Sequence, residues 1–177
     1  TVRLLQDFTS DKGNLKNAID TLALTDKETQ LHLGLVRAME LGHRRDAKLP
    51  GRRAIIILSD GQDDFAGGMT KTDVLNRIKE NPVPIYAIGF VKPPVTGAKE
   101  SFLKNLGEFA HTSGGLFFKW SDTPLPAIYN QVRKSVLDIW SAELDCKEFE
   151  ADGSLYRLQM NLSEGSKILT DGLDIRL

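Results

Sequence analysis

The chain has 177 residues, 41% hydrophobic and 7% aromatic, enough to bury one sizeable core with room for a small appendage. Its 23 Lys and Arg against 24 Asp and Glu give a formal charge of -1, and nowhere do they gather into the basic cluster that nucleic acid or an anionic membrane attracts. The single cysteine, Cys146, excludes an intrachain disulfide, and no apolar run approaches the roughly 20 residues needed to cross a bilayer.

The first residues lack the plan of a signal peptide and open in a strand-like run at 2–6, which predicts a fragment or processed product of a longer chain. Thr9-Ser10-Asp11 supplies capping side chains before apolar residues at Leu15, Ala18, Ile19 and Leu22, the spacing of a short amphipathic helix. A second helix is predicted from Leu31, Leu35, Ala38, Met39 and Leu41, ending near Gly42. The β-branched run at 54–58 has no polar interruption, which predicts a central strand covered on both faces. Ser59-Asp60-Gly61 ends it, and after a loop through Gly67-Gly68, Thr70 caps a helix carrying Val74, Leu75 and Ile78.

A second buried strand is predicted at 83–90, with Pro84 near its start where a missing N–H is tolerated. A helix bearing Phe102, Leu103, Leu106, Phe109 and Ala110 follows, then Gly114-Gly115, a strand at 116–120 and a last helix with Ile128, Val132, Val136 and Ile139. Alternating strands and helices predict a mostly parallel sheet with helices on both faces, the strand at 54–58 lying between the other two. After Trp140 the pattern alternates in segments at 155–162 and 168–177 about Ser163-Glu164-Gly165, which predicts an antiparallel hairpin. Two parts are expected, an α/β domain over 1–144 and a β-tail, or the start of a further β-domain, over 145–177.

In such sheets ligands sit beyond the carboxyl ends of the strands. Asp60 stands at that edge, where a carboxylate followed by a turn-forming glycine suits either a hard cation such as Mg²⁺ or an Asx turn. The run Arg52-Arg53-Ala54-Ile55-Ile56-Ile57-Leu58-Ser59-Asp60-Gly61-Gln62-Asp63-Asp64, followed by Val83-Pro84-Ile85-Tyr86-Ala87-Ile88-Gly89-Phe90, resembles the central region of bacterial von Willebrand factor type A domains. Thr29-Gln30-Leu31-His32-Leu33-Gly34-Leu35 is similar to that family's T-x-x-x-x-G-L stretch, and Leu106-Gly107-Glu108-Phe109-Ala110 with Ser113-Gly114-Gly115 to its downstream segment. The resemblance spans about 2–140.

It implies a Rossmann-like three-layer sandwich and a metal-ion-dependent adhesion site built from three loops: D-x-S-x-S after the first strand, a threonine opening a helix, and an aspartate after a central strand. By resemblance Thr29 takes the threonine role and Asp60 the aspartate role. The first loop has no counterpart, because 2–6 matches a later strand and D-x-S-x-S occurs nowhere in the sequence. The implied function is a protein-binding module for adhesion or scaffolding, engaging a partner's acidic residue through Mg²⁺ or another divalent cation; the sequence leaves the compartment open, and the resemblance leans to an extracytoplasmic one. The residues themselves leave Thr29 as an ordinary helix cap, with Thr25 competing, and Asp63 and Asp64 as a solvated acidic rim facing the partner. His32, His43 and His111 show no ligand spacing.

A module with a degenerate, metal-free site, binding through its loops or β-tail, is the alternative. An enzyme is not expected: phosphoryl transfer onto Asp60 would have a single carboxylate at the strand end, and the G-x-x-x-x-G-K, G-x-G-x-x-G and G-x-S-x-G patterns are absent.

Overall fold

The computed structural model describes residues 2–23, 28–46, 48–65, 67–137, 152–165 and 167–176. The chain divides into two compact units, Thr1–Asp138 and Ile139–Leu177, and the junction expected at 144/145 lies outside the described residues.

In the first unit α1 (Lys12–Asp20) starts where Asp11 accepts hydrogen bonds from the backbone N–H of Gly13 and Asn14, and none of its residues is buried. Residues 2–6 form no strand, contrary to expectation. An apolar run becomes a strand only beside an edge that satisfies its backbone. This segment is fixed instead by its neighbours Asp7, paired with Arg44 at 2.7 Å, and Phe8, whose ring lies 5.9 Å from the Arg44 and Arg53 guanidinium carbons.

Helix α2 (Leu31–Gly42) buries Leu31, Leu35 and Met39 of the stripe read from the sequence, together with Val36, while Ala38 and Leu41 are only half-buried. Its carboxyl end is gathered by Arg53, which donates to the carbonyls of Gly42, Arg44 and Pro50. Strand β1 (Ile55–Ser59) leads to α3 (Lys71–Glu80), opened by a reciprocal capping box between Thr70 and Asp73. Strand β2 (Ile85–Gly89), α4 (Gly97–Thr112), β3 (Phe117–Lys119) and α5 (Leu125–Leu137) complete the unit.

The described sheet is parallel in the order β1-β2-β3. This corrects the expected arrangement. Strand β2, not the run at 54–58, is central, and every residue of β2 is buried. Strand β1 is an edge of the described sheet. Its inward residues Ile55 and Ile57 pack on the core, whereas Ile56 and Leu58 are 62% and 57% exposed. The two apolar runs are alike in composition, so hydrophobicity alone does not order them.

Pleat alternation sends Ile85 and Ala87 into a core with α2, α3 and α4 around Phe109, Leu106 and Ile78. Tyr86 and Ile88 face the other way, against Phe118, Ile128 and Val132. The result is three layers. Ser113 locks α4 to β2: its buried hydroxyl donates to the Ala110 carbonyl at 2.7 Å and accepts from the Ile85 N–H at 2.9 Å. A side chain at Gly115 would collide with the Ile85 carbonyl, which accounts for the glycine there.

The second unit holds β4 (Leu155–Glu164) and β5 (Lys167–Arg176), paired antiparallel around Gly165, whose φ is 60°. One face carries the Arg157–Asp174 pair and the Thr170–Asn161 hydrogen bond. Tyr156, Leu158, Met160 and Leu162 alternate onto the other.

Candidate functional site

The loop after β1 is shaped by its glycine. Gly61 has φ 85°, and a Cβ there would run into the Phe102 carbonyl of α4, so the chain turns sharply against that helix. Ser59 Oγ accepts from the Gly61 N–H at 3.0 Å, and Asp60 Oδ1 accepts from the Gln62 N–H at 3.1 Å, an Asx turn. Asp60 is half-buried at the carboxyl edge of the sheet.

The turn delivers the next residues to the start of α2. That helix begins at Gln30 without a side-chain cap of its own. Asp63 supplies one from the neighbouring loop, its Oδ1 accepting the His32 N–H at 3.0 Å. Its Oδ2 lies 3.3 Å from His32 Nδ1, which is also 3.0 Å from the Met69 carbonyl. Both neighbours of Nδ1 are acceptors, so that nitrogen carries the hydrogen. The His32 ring packs edge-on to Phe109 with centroids 5.8 Å apart, anchoring the clasp to the core.

Asp64 binds the preceding residue. Its Oδ2 accepts from the Thr29 N–H at 3.0 Å, and its own N–H donates to the Thr29 carbonyl at 2.8 Å. The Thr29 backbone N–H, burial acting the other way, and then the Gln62 amide and Thr29 hydroxyl leave the Asp64 carboxyl below its ordinary range. A chain of contacts therefore runs from Asp60 through Gln62 and Asp64 to Thr29, tying the two loops into one surface.

Two readings change in detail. Thr29 does not cap α2, where Asp63 meets the N–H of His32; Thr25 lies outside the described residues. Asp63 is not a solvated rim residue: its side chain is 12% exposed, and both oxygens face α2. Asp64 remains exposed. The sequence reading passed over His32 and Asp63 as a pair, since they are 31 residues apart and only the parallel fold brings them together.

The family model for the von Willebrand factor type A domain matches residues 1–131. The chain belongs to the von Willebrand factor type A domain family. Comparison with curated proteins gave no match. The type A family is one of general protein-interaction and adhesion modules, typically non-enzymatic, and the three-layer parallel core is its fold. Among the described residues no helix is long and apolar enough to cross a membrane.

The donors that this type A domain offers a divalent cation are few. Asp60 has one oxygen engaged in its turn, the Thr29 hydroxyl interacts with Asp64, and among the described residues no cluster of three His, Cys, Asp or Glu side chains is placed to hold a metal. The described residues do not by themselves fit a near-octahedral oxygen sphere.

Proposed function

We propose that this chain is a protein-binding module whose partner docks at the carboxyl edge of the sheet, over Thr29, Asp60 and the exposed Asp64. The observation carrying this reading is the bridging of the Thr29 loop to the Asp60 loop, because the two positions the family resemblance assigns to one site here form one surface. In this reading Asp63 holds the loop and Asp64 provides rim charge. Thr29 and Asp60 would be two ligands of a Mg²⁺ or other divalent site, through which a partner's acidic residue would be engaged, once a D-x-S-x-S loop supplies the remaining donors. In the described sheet β1 is an edge strand, and a further strand carrying such a loop would pair along it.

Calorimetric titration of Mg²⁺ and Mn²⁺ tests the metal component. The 177-residue chain is expected to bind weakly, and a longer piece of the parent protein that contains D-x-S-x-S to bind measurably and lose that binding on Asp60→Ala. Micromolar binding by the chain alone through Thr29 and Asp60 would show that no further loop is needed. If the longer piece carries the motif and binds nothing, the metal component fails.

A metal-free reading has its own support. Leu155, Met160, Leu162 and Ile168 of the hairpin are all more than half exposed, an apolar display suited to binding without an ion.

A further inference from the structure

At the other end of the sheet lies a cleft of about 390 Å³ that the carboxyl-edge site does not use. Strands β1 and β2 are parallel, so α3 must return from the carboxyl end of one to the amino end of the other. Its last turn therefore meets the last turn of α2 beneath the sheet, where Gly42 approaches Val83. The cleft between them has Val36 and Met39 as an apolar floor and His43, Arg45, Arg77 and Asn81 on its walls.

Its charge is unbalanced. Glu40 is the acid in the lining, and it already pairs with Arg37 at 2.8 Å. Neither Arg45 nor Arg77 has a carboxylate partner among the described residues. Favourable interaction with the helix dipole accounts for an arginine in the last turn of α3, where Arg77 stands beside Lys79. It does not account for Arg45, which lies beyond α2, nor for the convergence of both on a hollow with an apolar floor. His43 Nε2 contacts the Asn81 carbonyl at 3.0 Å, joining the segments after the two helices across one end of the cleft.

We propose that this cleft is a second binding site, for a peptide segment of a protein partner that places an Asp or Glu carboxylate between Arg45 and Arg77 and a neighbouring aliphatic side chain on Val36 and Met39. Guanidinium groups suit this ligand because their planar N–H forks match a carboxylate. Met39 gives a floor that adapts to different aliphatic shapes. The volume lies within the about 300–1,000 Å³ of typical ligand clefts.

The test uses the full chain and a fluorescein-labelled peptide of alternating Glu and Leu, followed by anisotropy at about 50 mM salt, where screening is modest. Saturable binding is expected, together with a shift of the His43 imidazole NMR signal. Arg45→Gln with Arg77→Gln is expected to weaken binding about tenfold, a change of about 1.4 kcal/mol. Both side chains are exposed, so the pair of changes leaves the core intact, which the melting temperature checks. Lys79→Gln, on the same helix but outside the cleft, is expected to leave affinity unchanged. Absence of binding overturns the proposal, as does equal binding of a Gln/Leu peptide or equal loss on Lys79→Gln. Competition by inorganic phosphate as strong as that by unlabelled peptide would make this a small-oxyanion site and overturn the peptide assignment. Ion titration at the other end of the sheet is a separate readout, so the two proposals fail independently.

Discussion

Replacing Asp63 with alanine tests whether the loop after β1 caps α2. The change removes the acceptor for the His32 N–H, at the second residue of the helix, and the carboxylate beside His32 Nδ1. Losing an N-cap side chain costs about 1 kcal/mol. A charged contact at 3.3 Å, mostly shielded from water, adds up to about another 1 kcal/mol. The sum, about 2 kcal/mol, corresponds to a fall of about 4–8 °C in Tm for a domain of this size. Asp63→Asn keeps an oxygen for the His32 N–H and is expected to lose less than half as much. Asp64→Ala removes a bond to Thr29, ahead of the helix and exposed, and is expected to cost under about 1 kcal/mol. Thermal unfolding followed by circular dichroism measures all three. A Tm for Asp63→Ala within about 1 °C of the parent, or a larger loss on Asp64→Ala, would refute the capping argument.

Two further outcomes follow from local geometry. Gly61→Ala meets both a left-handed backbone and the Phe102 carbonyl, whereas Gly67→Ala, φ 103°, meets no atom within 4 Å; urea unfolding is expected to show about 1–2 kcal/mol for Gly67 and clearly more for Gly61. The Thr70 side chain and then its backbone hold the Asp73 carboxyl below its ordinary value of 3.8. A depressed carboxyl stabilises the fold above its unfolded value, and that contribution disappears as pH falls through the lower folded value. The Tm difference between the parent and Asp73→Asn is therefore expected to shrink as pH is lowered from about 5 to 2, and a constant difference would contradict it.

The first unit was largely legible because its signals are local. Helical spacing gave α2 its buried Leu31, Leu35 and Met39, Thr70 marked the start of α3, and the apolar runs marked β1 and β2. The order of those strands was not, since edge and centre differ in what lies beside them rather than in their own residues. The run at 2–6 misled for the same reason: a strand is a pairing, and no described strand pairs with it. At the site, the glycine after Asp60 announced the turn, but the destinations of Asp63 and Asp64 depend on a helix start more than 30 residues earlier. A local reading sees two adjacent carboxylates and assigns them to water.

The borrowed cap of α2 also bears on the order in which the molecule folds. Helices α1, α3 and α4 carry their own starts in Asp11, Thr70 and Thr96, one residue before each helix, and can nucleate as soon as a few residues are free. Helix α2 cannot, because its capping carboxylate arrives only after β1 and its turn have come home, closing a loop of about thirty residues. Its first turn is therefore among the last parts to consolidate and the first to fray. Changes at Asp63 are accordingly expected to accelerate unfolding while leaving the folding rate nearly untouched, whereas changes at Thr70 act on a contact available from the beginning.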